Sequence, residues 1–210
     1  MAVLWHSVSH TCGSKTASCL SVDRAIRPRG NSRNIVTPNS TVYASLQSQA
    51  VWIRVQGKGT FQISAGLKEY ARRMILRGSR NFVVDLENCE IMDSTFMGTL
   101  AGIALRLREV GSGGLSVIEP NMRNLQLLEN LGLDHLFSFH LPEGVLAVPY
   151  ERGAGSVIAS KSEPALPKEQ QKTMIDAHEA LVKVSAANEE KFKDVIELLK
   201  QESSLDSQDA

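Results

Sequence analysis

The residues with the clearest chemical potential lie in one stretch, Asp85 to Leu100, which reads DLENCEIMDSTFMGTL. An apolar strand pattern leads through an acidic turn into a helical pattern that begins with hydroxyl side chains. The free N–H groups and the dipole at such a helix start favour an anion, so a phosphate on Ser94 would be stabilised locally. A phosphate adds about −1.5 to −2 charges, which the adjacent carboxylate of Asp93 would oppose. The stretch is therefore compatible with a phosphorylation switch, but these residues alone favour Ser94 as a simple helix cap and Asp93 as a turn residue.

Other candidate sites lack the spacing or the neighbours that their chemistry needs. Gly57-Lys58-Gly59-Thr60 lacks the Gly-x-x-x-x-Gly-Lys-Ser/Thr spacing, so no nucleotide-binding loop is predicted. Cys89 has no histidine nearby in the sequence to activate its thiol, although a spatial neighbour stays open. The remaining candidates show no paired ligand spacing, so neither a metal site nor a cofactor is predicted; they are His6, His10, Cys12 and Cys19.

His178 lies on an otherwise apolar helical stripe. This position predicts a packing residue with a hydrogen-bond partner rather than a proton carrier. No acid/base pair, nucleophile relay or metal set is visible anywhere in the sequence, so the chain is predicted not to be an enzyme.

The elements that would position the switch alternate between strand and helix along residues 41–150. Period-two alternation predicts the first two strands, nearly continuous apolar runs predict buried strands, and period-3.6 stripes predict helices. Ser64 is placed to cap the first helix and Gly78 to end it, while Asn121 and Gly132 bound the third helix. The predicted strands span 42–46, 51–55, 82–86, 115–118 and 136–139, and the predicted helices span 64–77, 95–110 and 121–131.

This order predicts an α/β fold, with a mostly parallel mixed sheet of four to five strands and helices packed against it. A basic head, residues 1–40, is rich in Ser, Thr, Asn and Arg without periodicity and is expected to be disordered. Residues 151–166 are small and polar with two prolines and predict a linker. Two further amphipathic stripes predict a helical hairpin over 167–203, followed by a disordered end over 204–210.

The hairpin has two possible partners. Asn188 is placed to cap its second helix, with acidic residues in the first turn. Its apolar stripes pack either on the chain's own domain or on another protein, and the first is slightly favoured because soluble monomers usually cover such patches.

Composition excludes several classes of function. The 23 basic and 23 acidic residues cancel, so nothing global indicates a nucleic-acid partner. No apolar run approaches the ~20 residues of a membrane helix, so no direct membrane insertion is expected. Three cysteines without a disulfide-like spacing favour a reducing compartment, and a cytoplasmic location is predicted.

Residues 41–140 resemble the STAS domain, the family named for sulfate transporters and anti-sigma-factor antagonists. The family segment Asp-Ser-Ser/Thr-Gly-Leu-Gly is matched here by Asp93-Ser94-Thr95-Phe96-Met97-Gly98. The later stretch GGLSVIEPNMRNLQLLENLGLDHLF is similar to the family's following strand and helix. The resemblance implies an anti-sigma factor antagonist that acts in transcription regulation.

The resemblance also implies a mechanism. An anti-sigma factor that is a serine kinase would bind the unphosphorylated chain, phosphorylate Ser94 and thereby be released, and a phosphatase would reverse the change. The partner-binding residues implied in this way are Thr60, Asp93, Ser94, Thr95, Phe96, Met97 and Gly98.

Two departures from the family pattern keep a second function open. Phe96 replaces a motif glycine and puts a large ring where a partner backbone would approach. The turn that often reads Gly-Glu-Leu-Asp in antagonists reads Gly57-Lys58-Gly59-Thr60 here. The alternative is a STAS scaffold or a soluble subunit of a larger assembly, such as a transporter regulator or signalling complex, without a phosphoswitch.

Overall fold

Strands and helices alternate through most of the chain in a computed structural model that describes residues 40–47, 49–111, 113–142, 145, 155–161 and 165–205. The strands are β1 Thr41–Gln47, β2 Ala50–Gly59, β3 Asn81–Asp85, β4 Cys89–Met92, β5 Gly114–Ile118 and β6 Ser156–Ser160. The helices are α1 Phe61–Leu76, α2 Ser94–Glu109, α3 Met122–Asn130, α4 Pro167–Val184 and α5 Ala187–Leu205, with a short 3-10 turn at Leu133–His135. The head predicted over residues 1–40 lies outside the described residues except for Ser40.

The described strands form one sheet in the order β5, β3, β2, β1, β6, and β4 pairs with the end of β2. β2 is parallel to β3 and β4, and β3 is parallel to β5. β1 is antiparallel to both of its neighbours. The predicted α/β class and the mostly parallel mixed sheet are confirmed, and the expected four to five strands are corrected to six.

The two additional strands have weak sequence patterns. β4 has only four residues and lies in the segment expected to be an acidic turn. β6 lies inside the predicted linker 151–166, which is therefore wrong over Ser156–Ser160. As an edge strand with no fully buried residue, β6 lacks a buried apolar row, and its pairing with β1 holds it in place. The strand predicted over 136–139 reduces to a single bridge between Ser138 and Ser116.

The main core lies between one face of the sheet and the helices. The alternation in β2 directs Val51, Ile53 and Val55 into this core, where each is fully buried. On the opposite face Trp52 packs with Val83 in a smaller cluster. One continuous core therefore fixes the positions of α1 and α2 against the sheet.

Some predicted helix ends are confirmed and others are corrected. Gly78 and Gly132 adopt positive φ beyond the ends of α1 and α3, as predicted. Ser64 does not cap α1, because the helix already begins at Phe61 and the Ser64 hydroxyl donates to the carbonyl of Thr60. Ser94 is not the cap of α2 either, since Asp93 takes that position.

The predicted C-terminal hairpin is confirmed as α4 and α5, and it packs on its own domain. α4 lies across α2 and also contacts α1, with Leu181 completely buried. α5 continues to Leu205, so the predicted disordered end 204–210 is wrong at its first two positions, and residues 206–210 lie outside the described part. Within the described residues, no helix is long and apolar enough to cross a membrane.

Candidate functional site

Asp93 joins the starts of two helices. Its Oδ1 accepts a hydrogen bond from the N–H of Phe96 at 2.8 Å, which caps α2. Its Oδ2 accepts from the N–H of Phe61 at 2.8 Å, the first residue of α1. One carboxylate thus satisfies free donors at the positive ends of both helices.

Burial raises the pKa of the Asp93 carboxyl above its ordinary value, against the hydrogen bonds from Phe96 and Phe61 and the nearby His178. Both oxygens of the Asp93 carboxylate are already occupied by hydrogen bonds from the two helix starts. A second anion at Ser94 would compete for the same donors as well as repel the carboxylate.

The Ser94 side chain meets a residue from the far end of the sequence. Its Oγ lies 3.0 Å from Nε2 of His178, on α4. The Nδ1 of the same ring lies 2.8 Å from the carbonyl oxygen of Met174. Because a carbonyl only accepts, Nδ1 carries the ring proton, and Nε2 of the neutral imidazole accepts the hydrogen bond that the Ser94 hydroxyl donates.

His178 is enclosed on the side away from Ser94. It is 5% exposed, and its ring centroid lies 5.0 Å from that of Phe192 on α5. Burial lowers the pKa of His178, against the Met174 hydrogen bond and the negative charge of Asp93. The predicted packing role with a hydrogen-bond partner is confirmed, and that partner is the predicted switch residue.

Most of the predicted partner-binding residues are covered. Thr95 is 6% exposed, and Met97 and Gly98 are buried as well. Phe96 is 0% exposed and belongs to the main core. Its ring does not project toward a partner as expected, because the first turn of α2 directs it onto the sheet.

Gly59 supplies the space for this ring. A β-carbon built on Gly59 would lie 2.7 Å from Cδ1 of Phe96. The Gly57-Lys58-Gly59 segment is the end of β2 paired with β4, and is not the turn that the sequence suggested. Phe96 replaces the motif glycine at the start of α2, and Gly59 in the sheet below leaves room for its ring. Thr60 follows directly, and its buried hydroxyl oxygen has no hydrogen-bond partner among the described residues.

α4 crosses α2 at backbone distance. A β-carbon on Gly98 would overlap the carbonyl oxygen of Ala177 and would lie 2.7 Å from its carbonyl carbon. One turn later, a β-carbon on Gly102 would lie 3.7 Å from Cβ of Ala180, an ordinary contact. The small side chains of both helices therefore form the crossing.

Polar contacts hold the hairpin at the middle of α4 and at the hairpin turn. Lys68 of α1 forms an ion pair with Asp176 of α4. At the turn the buried amide of Asn188 donates to the carbonyls of Leu131, at 3.0 Å, and Leu181, at 2.9 Å. Asn188 was expected to cap α5, but that helix begins one residue earlier, and the side chain instead ties the hairpin turn to the end of α3.

Among the residues that the sequence analysis set aside, His6, His10, Cys12 and Cys19 lie outside the described residues. Cys89 is buried, which raises the pKa of its thiol and disfavours the nucleophilic thiolate. In the described ranges no group of three or more His, Cys, Asp or Glu side chains is placed to hold a metal ion. The residue that sequence reasoning did not connect to the site is His178, whose only signal was a histidine in an apolar stripe.

Acid is expected to weaken the hairpin contact, because burial depresses the pKa of His178 below its ordinary 6.5. Such a group contributes stability that is complete above pH 6.5 and is lost as the pH falls through its folded-state pKa. The raised pKa of Asp93 acts in the opposite sense, with a contribution that is present below pH 3.8 and is lost as the pH rises.

Urea unfolding of wild type and His178→Gln at about pH 7.5 and about pH 5.5 would measure the effect. Glutamine accepts the Ser94 hydrogen bond without titrating, so the wild type should lose more stability between the two pH values. Equal losses in both proteins would contradict this assignment of the titration to His178.

Comparison with known proteins gives a family match that extends from β1 to just beyond α3. Residues 42–142 match the family described as "Mlab, STAS domain". A Thermotoga maritima protein proposed to be an anti-sigma factor antagonist is 17% identical, with a TM-score of 0.41, over 45% of this chain and 81% of that one. The antagonist SpoIIAA in its unphosphorylated form is 19% identical, with a TM-score of 0.41, over 53% of this chain and 96% of that one. No curated protein matches the chain.

Proposed function

Because residues 42–142 match a STAS domain family, we propose that the chain is a regulatory protein of the anti-sigma factor antagonist type. In its unphosphorylated form it binds a serine-kinase anti-sigma factor through the start of α2. Phosphorylation of Ser94 by that kinase releases the complex, and a phosphatase restores binding. The chain acts in the cytoplasm, in keeping with its unpaired, buried Cys89.

The observation that carries the proposal is the contrast between the two hydroxyl residues at the start of α2. Ser94 is partly exposed, whereas the neighbouring Thr95 is 6% exposed and faces inward. A kinase needs an accessible hydroxyl, so this contrast favours Ser94. The structural response to phosphorylation is expected to be strong, because the carboxylate of Asp93 and a phosphate on Ser94 would repel each other and compete for the same backbone N–H groups.

Phosphate would therefore loosen the starts of two helices. The phosphate oxygens would compete for the N–H groups of Phe61 and Phe96 that Asp93 now holds. Loss of an N-cap hydrogen bond typically costs about 0.5–2 kcal/mol, so both helix starts would become less stable. This couples a covalent change at Ser94 to the shape of the whole α2 face.

The chain itself is proposed to perform no chemistry. Ser94, His178 and the Met174 carbonyl have the order of a nucleophile, a base and an orienting group. The base is 5% exposed, however, and the N–H of Phe96 that might stabilise an oxyanion is held by Asp93. The hydrogen bond therefore serves to hold α4 rather than to activate the serine.

Phosphosite mass spectrometry of the protein isolated from its own cells tests the proposal. Phosphate is expected on Ser94, and Ser94→Ala should abolish it. The unphosphorylated chain should retain a serine-kinase anti-sigma factor in affinity purification, and the phosphorylated chain should not. Phosphate confined to Thr95, or to residues 1–40, would refute the assignment of the switch.

A second candidate function is a STAS scaffold or a soluble subunit of a larger assembly, such as a transporter regulator, without phosphoswitching. The observation that favours it is the cover over the motif, since α4 already contacts both Ser94 and Gly98. Co-purification with transporter or scaffold subunits, at equal yield for wild type and Ser94→Asp, would support it over the antagonist. Genes for such subunits beside this one would point the same way.

A further inference from the structure

The face of α2 that carries the motif has the shape of a helix-binding groove. Gly98 and Gly102 are four residues apart on one side of the helix and leave its backbone open to close approach. α4 lies in this groove with Ala177 and Ala180 toward the two glycines. Only a helix with small side chains at these two positions fits at this distance.

The hairpin is held in this groove by few large side chains. Leu181 and Leu199 are its only large hydrophobic residues that are essentially buried in the described part of α4 and α5. Leu198 of α5 is 57% exposed. Fewer large side chains are buried here than in the sheet core, so the hairpin is expected to open more easily than that core does.

Clefts flank α4 on two sides. One has a volume of about 730 Å³ and reaches Thr99 and Gly102 on α2 and Thr173 on α4. The other, of about 400 Å³, lies between the start of α1 and the open end of the hairpin at Phe61 and Pro167. Side chains of α4 that face these clefts make fewer van der Waals contacts, which weakens the packing of α4 on the domain.

We propose that the α2 groove binds an amphipathic partner helix with small residues at the spacing of Ala177 and Ala180, and that α4 is its intrachain occupant, displaced by that helix. The proposal rests on the proposed function in one respect, namely that the partner uses the α2 face. Beyond the proposed function, it specifies that the partner contributes an amphipathic helix with small residues and that α4 competes with this helix for the groove.

The hydrogen bond between Ser94 and His178 joins the switch to this competitor. A phosphate on Ser94 removes the donor that Nε2 of His178 now accepts from, and it places several oxygens where the buried ring packs. Because a partner helix would lie where α4 now lies, the phosphate disfavours both helices in the groove, α4 and the partner helix alike. The groove opens only when its occupant leaves.

Thiol labelling of the full chain tests whether α4 opens by itself. Ala180→Cys, in a Cys12→Ser, Cys19→Ser background, reports α4, and the native Cys89, which is 2% exposed, reports the core. Under native conditions the cysteine at position 180 is expected to react at least about tenfold faster than Cys89. Thr173→Cys places a cysteine at a second buried position of α4. It should also react faster than Cys89, and it keeps the test valid if Ala180→Cys packs poorly.

A peptide of residues 165–185 tests the groove. At millimolar concentration, of the order of the effective concentration of a tethered segment, it should accelerate labelling at position 180 saturably by displacing the chain's own α4. The same peptide with Ala177→Leu and Ala180→Leu should not. His178→Ala should accelerate labelling at position 180 and leave Cys89 unchanged.

Equal reaction rates at position 180 and at Cys89 would overturn the proposal, because α4 would then open only with the core. Equal effects of the two peptides would overturn it as well, since the small residues would not matter. No kinase enters these measurements. Failure of Ser94 phosphorylation would therefore refute the proposed function while the result on the groove remained intact.

Discussion

Replacing Phe96 by alanine is expected to lower the free energy of unfolding by about 3–5 kcal/mol, the usual loss for a buried phenylalanine. The ring is 0% exposed and fills the space above Gly59. Its removal leaves a cavity between α2 and the sheet, which the surrounding strands cannot close by small shifts. Urea unfolding of the full chain would show a lower midpoint.

Phe139→Ala is the matched control, because this phenylalanine is 37% exposed. The same deletion of atoms should then cost roughly 1 kcal/mol or less, since less apolar area is lost from the core. If the two variants lost equal stability, Phe96 would not be a core residue, and its predicted role as a partner contact would regain support.

Replacing Gly98 by alanine should lift α4 from α2. The added methyl group would overlap the carbonyl of Ala177, and because this obstacle is backbone, it cannot rotate away. Overpacking of this kind typically costs about 1–3 kcal/mol, which exceeds the roughly 1 kcal/mol that alanine gains over glycine in a helix. Hydrogen exchange should show faster exchange in α4 and α5, with the strands unchanged.

Gly102→Ala is the same substitution one turn later and should have the opposite sign. Its methyl group would meet only Cβ of Ala180, at 3.7 Å, an ordinary contact. The helix propensity gain of about 1 kcal/mol then remains, and stability should rise slightly. If both variants were destabilised to the same degree, the close approach at Gly98 would not be the cause.

The two pairs of variants separate two roles of one short segment. Phe96 faces the sheet and belongs to the fold, whereas Gly98 faces α4 and belongs to the groove. Substitution of Gly98, and not of Phe96, should speed up thiol labelling and hydrogen exchange in the hairpin while leaving the stability of the sheet core nearly unchanged. Gly98→Ala should therefore lower the affinity of a partner helix for the groove by more than the change in the free energy of unfolding suggests.

Local patterns were sufficient for the elements that have a regular apolar period. The alternation in β2, the stripe of α1 and the glycines after α1 and α3 predicted their structure because each depends on residues a few positions apart. β4 and β6 were missed for the converse reason. One is too short to show a period, and the other is an exposed edge strand held by pairing with β1.

The sequence alone determined the α/β order, a helix that begins close to Ser94, and a terminal hairpin with one apolar stripe on each helix. Each follows from interactions along a single element. Only the tertiary structure decided that the ring of Phe96 enters the core and that His178 reaches Ser94 across 84 positions. Such contacts depend on how whole helices cross, and the crossing is set by packing at Gly98, which no period within one helix records.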